Sequence, residues 1–203
     1  MEKSEADSLV KQAQKKLSAG FFSRLFSSKE SRLEEALDLY ERAANQFKLQ
    51  KRWLDAGECY ESCSKIEEEL GSDAAAGHYH DASHCFNFVD KKRASENMNK
   101  CLKVYEKLGR FQMAGKTQKQ MAEEYESDLK YEEAIAAYKR AAEYFSMENQ
   151  NSRTYEQGCL LKQADLMCIS DHKDSFEDAR NVKLNFHVRY MRNLRCSTLL
   201  CRY

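Results

Sequence analysis

Two cysteines and two histidines offer the first possible chemistry. Cys59 and Cys63 lie four residues apart, and so do His80 and His84. Side chains at i and i+4 share one face of a helix. Two such pairs on neighbouring helices would have the ligand set of a Cys2His2 zinc site. No Cys-x2-Cys knuckle accompanies them, and the same residues suit ordinary packing, where free cysteine behaves as a small apolar group. A nucleophilic site needs a base and an oxyanion donor beside the attacking group. No glycine-rich turn or elbow presents any of the eight cysteines in that way. No Gly-x4-Gly-Lys-Ser/Thr segment cradles a phosphate, so ATP use would belong to a partner. The chain is read as no enzyme, with no cofactor and no metal. What remains is the chemistry of contact.

The elements that position such contacts follow from one spacing. Alanine recurs at Ala36, Ala56, Ala76, Ala94, Ala114 and Ala134, at gaps of twenty or eighteen residues. The clearest copies run Ala36, Tyr40, Ala43, Ala44, Phe47 and Ala134, Tyr138, Ala141, Ala142, Phe145. Offsets of 4, 7, 8 and 11 fall on one helical face. Each copy reads as one helix, and two make a hairpin of roughly 40 residues. The pattern predicts an all-α fold: a right-handed tetratricopeptide-like solenoid of antiparallel helix hairpins. Helices are expected near 4–19, 31–50, 53–70, 74–89, 92–108, 111–127, 130–147 and 153–170. Tyr40, Tyr60, Tyr125 and Tyr138 are expected in the core. A solenoid presents a long surface and no preformed reaction pocket, so binding is the first functional inference.

Composition agrees. The 203 residues include no proline and only seven glycines, which uninterrupted helices tolerate. Gly71 and Gly109 each follow a leucine where a helix should end, and are expected to take the left-handed conformation. Ser72 and Asp73 offer an N-cap for the next helix. Formal charge is zero, from 33 basic and 33 acidic side chains. After Asn181 come Lys183, Arg189, Arg192, Arg195 and Arg202 and no acid, so the preceding body carries a net charge of −5. An acidic body argues against nucleic acid as a general partner. No stretch of 18 apolar residues could span a bilayer, and the N-terminus lacks the pattern of a signal peptide. The chain is expected in the cytoplasm, with reduced cysteines.

Residues 1–180 are read as the repeat domain, with a distinct loop at 20–30, and 181–203 as a divergent basic tail, poorly ordered or irregular. In that tail Leu184, Phe186, Val188 and Tyr190 alternate with polar residues, a strand-like period with no sheet to join. The loop holds Phe21, Phe22, Leu25 and Phe26 between serines. Burying each such side chain is worth about 1.5–3 kcal/mol. They either fold back onto the first helices or form a tip that touches membrane or partner, with Arg24 and Lys29 near lipid phosphates.

Phe21-Phe-Ser-Arg-Leu-Phe26, then Glu34 to Lys48, then Trp53 with Ala56-Gly57, resembles the N-terminal half of the soluble NSF attachment proteins of the alpha/beta type. Leu108-Gly-Arg-Phe111, Ala114-Gly-Lys116, Ala122-Glu-Glu-Tyr125 and Cys159-Leu-Leu-Lys-Gln-Ala164 extend the resemblance to about residue 170. It implies an adaptor of vesicle transport and membrane fusion, peripheral on the cytosolic face of membranes. Such an adaptor lies along the SNARE four-helix bundle, of which syntaxin-like proteins are part, and recruits the NSF ATPase. It implies that Phe21, Phe22, Leu25 and Phe26 contact membrane, and that Lys51, Arg110 and Lys116 contact the acidic bundle. Where the family shows a lysine pair, this chain has Asn87-Phe88, with Lys91, Lys92 and Arg93 a few residues on. A basic family position is here Gly158. The family continues for about half as much chain again, through the part that meets NSF. The chain as given is therefore expected to hold bundle or membrane without stimulating NSF. A general tetratricopeptide-like scaffold for peptides is the alternative.

Overall fold

The computed structural model describes residues 5–18, 28–148 and 152–169. The membrane-loop candidates Phe21, Phe22, Leu25 and Phe26, Arg24, and the tail 181–203 lie outside the described residues. The described residues are helical and carry no strand. In order they form α1 (Glu5–Leu17), α2 (Lys29–Leu49), α3 (Trp53–Leu70), α4 (Ala75–Phe86), α5 (Lys91–Lys107), α6 (Phe111–Ser127), α7 (Tyr131–Ser146) and α8 (Arg153–Ile169). The chain divides into two compact units, Met1–Leu108 and Gly109–Tyr203. Within the first, each of α1 to α5 packs on its neighbour in sequence; within the second, α6 packs on α7 and α7 on α8. Turns this short force neighbours antiparallel, so the all-α hairpin class expected from the alanine spacing is the one observed.

The six periodic alanines are all buried, none more than 1% exposed. Ala36, Tyr40, Ala43, Ala44 and Phe47 of α2 form one face of the first unit's core; Ala134, Tyr138, Ala141, Ala142 and Phe145 of α7 do the same in the second. Small residues let the backbones approach, and the aromatics fill the gaps between them. Two of the tyrosines, Tyr60 and Tyr138, turn their hydroxyls to polar groups on the preceding helix. Tyr60 donates to Asn45 Oδ1 at 2.9 Å. Tyr138 donates to Glu126 Oε2 at 2.7 Å. Tyr125 is only partly buried.

The closest approaches occur at Gly57 in α3 and Gly115 in α6, each just after a periodic alanine. A Cβ at Gly57 would sit 2.6 Å from the Phe86 ring, and one at Gly115 would sit 2.8 Å from the Phe145 ring. Two hairpins, α3–α4 and α6–α7, thus share one packing device.

Helix ends also repeat. Gly71 and Gly109 adopt φ of 71° and 66°, as their positions predict. Lys51 and Leu129 do the same work without glycine, at φ of 57° and 60°. Behind three of these residues the next amide reaches back five positions: Arg52 to Phe47, Ser72 to Glu67, and Lys130 to Tyr125, at 2.8–2.9 Å. That bond satisfies a carbonyl the helix end would otherwise strand.

Two expectations at helix ends need correction. The N-cap of α4 is Ala74, with no side-chain cap, and not Ser72 or Asp73. The Ser72 hydroxyl instead accepts from the Ala74 amide at 3.2 Å, a local turn that competes with capping. The same helix stops at Phe86, three residues before the expected end. The Asp90 carboxylate takes the amides of Lys92 and Arg93 at 3.0 and 3.1 Å, which starts α5 and fixes the turn before it.

Candidate partner-binding residues

Lys51 sits in the α2–α3 turn with its side chain exposed. Its left-handed backbone is held by its own amide, which donates to Lys48 O at 3.0 Å. Arg52 beside it is committed to structure. Its guanidinium meets both Asp7 oxygens at 3.0 and 3.1 Å and Asp55 at 2.8 Å. It also lies 4.3 Å over the Phe47 ring. The Asp7 and Asp55 hydrogen bonds raise its already high pKa further. Arg52 therefore ties α1 to the start of α3, and Lys51 is left at the rim.

In the second unit Arg110 directly precedes α6 and Lys116 lies in its second turn; both are exposed. Six residues apart, they stand about 120° from each other around the helix axis. Lys116 places its ammonium 6.0 Å from the Tyr155 ring of α8, and that ring stacks at 5.4 Å on Phe145. Gly158, in α8, has open space around it.

Of the cations near Asn87-Phe88, Arg93 is not available to a partner. It pairs with Glu58 at 3.0 Å and Glu61 at 2.8 Å, and covers the Phe86 ring at 4.1 Å. Burial alone would push Glu61 up, but hydrogen bonds from Asn97 and Arg93 and the charge of Lys100 hold it below the ordinary carboxylate value. Asn97, fully buried, donates to Glu61 at 2.6 Å. Lys91 and Lys92 stay exposed on the first turn of α5. Lys29, at the edge of the candidate membrane loop, is ion-paired with Glu69 of α3.

Sequence reasoning missed an apolar surface beside Lys51. The Trp53 and Phe88 rings stack at 4.5 Å, and His84 meets Phe88 edge-on at 5.7 Å. Phe88 is 57% exposed, and Leu54 and Val89 are about half exposed. The signal was the replacement of a basic pair by Asn87-Phe88. Only the hairpin places that turn against Trp53.

The zinc arrangement does not form. Cys59 and Cys63 are buried, whereas His80 is half-buried and His84 exposed beside Phe88. Burial pushes the Cys59 thiol up to about 12, and the Cys63 thiol higher still. Among the described residues no group of three or more His, Cys, Asp or Glu could hold a metal ion. No described helix is long and apolar enough to cross a membrane.

Residues 4–182 match the family profile described as soluble NSF attachment protein, SNAP. The chain is 37% identical over 164 residues to the human alpha-soluble NSF attachment protein, covering 79% of this chain and 55% of that protein. It is 36% identical over 165 residues to the bovine beta-soluble NSF attachment protein, covering 79% and 54%. It is 30% identical over 182 residues to the vesicular-fusion protein SEC17 of Komagataella phaffii, covering 88% and 61%. The chain thus spans little more than half the length of these relatives. Among solved structures, that of BtubC (BKLC) from P. vanneervenii shares the fold, with a TM-score of 0.51 at 17% identity, covering 89% of this chain and 80% of that one.

Proposed function

From the fact that the chain belongs to the soluble NSF attachment protein family, a family of adaptors and not of enzymes, we propose that it acts in vesicle fusion as an adaptor that grips the SNARE four-helix bundle and touches the membrane on its cytosolic face. The match across residues 4–182 is the observation that carries this reading. The exposure of Lys51, Arg110 and Lys116 supports it, since an acidic bundle needs accessible cations. The apolar run Phe21, Phe22, Leu25, Phe26 supports membrane contact by the same logic of burial. The Trp53–Phe88 stack beside Lys51 adds an apolar anchor to that grip, which a lysine pair would not supply. NSF recruitment is not assigned to these residues, because the matched segment covers about half of the relatives.

The test is co-sedimentation of the full chain with liposomes, bare or bearing assembled SNAREs, with and without NSF. We expect capture by SNARE liposomes that weakens as salt rises. Lys51→Glu/Arg110→Glu/Lys116→Glu should abolish most of the SNARE-dependent part. Phe21→Ser/Phe22→Ser should remove capture by bare liposomes and spare soluble bundles. Unchanged capture of SNARE liposomes by the triple variant rejects the assigned cations.

A further inference from the structure

A cavity of about 510 Å³ opens within the first unit, between the end of α3, the start of α4 and the second half of α5. Small-ligand sites span about 300–1,000 Å³, so the size suits a compact ligand and not a helix. Lys100, Lys103 and Lys107 line it from α5. Their spacing of three and four residues puts them on one flank of the helix. Gly71 and Ser72 line the opposite wall, with Ala75, the first residue of α4.

The charges in this cavity are unbalanced. The side chains of Lys103 and Lys107 are exposed and make no ion pair or hydrogen bond among the described residues. Lys100 is held in place, 3.8 Å from Glu61 and 5.4 Å over the Tyr79 ring. Glu68 is the one acid in the wall, against the three lysines. Glu106 lies on α5 between Lys103 and Lys107 but does not line the cavity. The first turn of α4 holds no acid, and Asp73 lies one residue before its N-cap, Ala74. Three lysines on flexible stems that line one concave space match several phosphate oxygens better than one carboxylate.

We propose that this cavity binds a compact polyanion carrying several phosphate groups, with Lys103 and Lys107 as its principal contacts and Lys100 as a pre-positioned third. The ligand is either a free phosphorylated polyol or a lipid headgroup of the same chemistry. This inference is independent of the SNARE reading, and its assay contains no SNARE.

The experiment is calorimetric titration of the full chain with inositol hexakisphosphate at physiological salt. Saturable one-to-one binding is expected. Lys103→Glu/Lys107→Glu should weaken it by about tenfold or more per lysine. Lys139→Glu/Arg140→Glu, an equal charge change on exposed residues of α7, should leave it within about twofold. Circular dichroism confirms that both variants keep their helices. Equal loss in the two variants would reduce the effect to generic charge attraction and overturn the site; so would absence of binding, or an unaffected Lys103/Lys107 variant. Competition then identifies the source. Displacement of the probe by phosphatidylinositol bisphosphate vesicles, but not by phosphatidylserine vesicles of equal charge, assigns the lipid headgroup; failure to displace assigns the soluble anion.

Discussion

At Gly57 and Gly115 a single methyl group has nowhere to go. The ring atoms 2.6 and 2.8 Å away belong to Phe86 and Phe145, which are themselves buried and cannot swing aside. Gly57→Ala and Gly115→Ala should each cost about 1–3 kcal/mol, read as a lower denaturation midpoint with an unchanged slope. A second residue-level device is Glu61, which gathers Arg93, Asn97 and Lys100 across α3 and α5. Its folded pKa lies below the ordinary 4.5, so its contribution is complete above that value and is lost as pH falls through the folded one. Glu61→Gln should lower stability at neutral pH by about 1 kcal/mol. It should also flatten the acid limb of a stability profile as pH falls below 4.5. An acid limb of unchanged steepness would show that Glu61 is not the group responsible. Both glycines stand in motifs of the sequence, but their tight packing is not legible there, because the clash is with a ring about 30 residues further along the chain.

Single helices carry the most legible information. The offsets 4, 7, 8 and 11 behind Ala36 and Ala134 placed five core residues on each of α2 and α7, and all ten are buried. Helix ends were less readable. Gly71 and Gly109 announce a left-handed residue; Lys51 and Leu129 do not, and the strain they accept is offset by the back-reaching bonds from Arg52 and Lys130. Leu129 is 70% exposed, so its side chain contributes little packing. A left-handed L-residue costs about 1–2 kcal/mol, and the extra freedom of glycine in the unfolded chain returns roughly 0.4–1 of it. Leu129→Gly should therefore raise stability by about 0.5–1 kcal/mol, seen as an upward shift in melting temperature. A downward shift would mean that Leu129 packs in solution. Sequence pattern alone runs α4 on to Val89, because nothing local forbids helix there; the Asp90 carboxylate, serving the next helix, decides its end.

For the whole molecule, balanced charge sets behaviour that no helix shows alone. With 33 basic and 33 acidic groups and an isoelectric point near 6.9, the chain should be least soluble close to neutral pH, and turbidity at fixed concentration should fall on either side. A flat turbidity profile would mean that the acidic body and basic C-terminal segment do not attract one another between molecules. The sequence by itself determined the all-α hairpin class, the buried alanine–aromatic faces and the family, because those are written in short periods and ordered motifs that every helix reads locally. The tertiary structure alone decided which cations are available. Lys51 and Arg52 are neighbours in the chain, yet Arg52 is spent on Asp7 and Asp55 while Lys51 stands at the rim. Arg93 is likewise consumed by Glu58 and Glu61, and Trp53 meets Phe88 only across a hairpin. A charged or aromatic side chain acquires its role from what lies opposite it, and what lies opposite belongs to another helix.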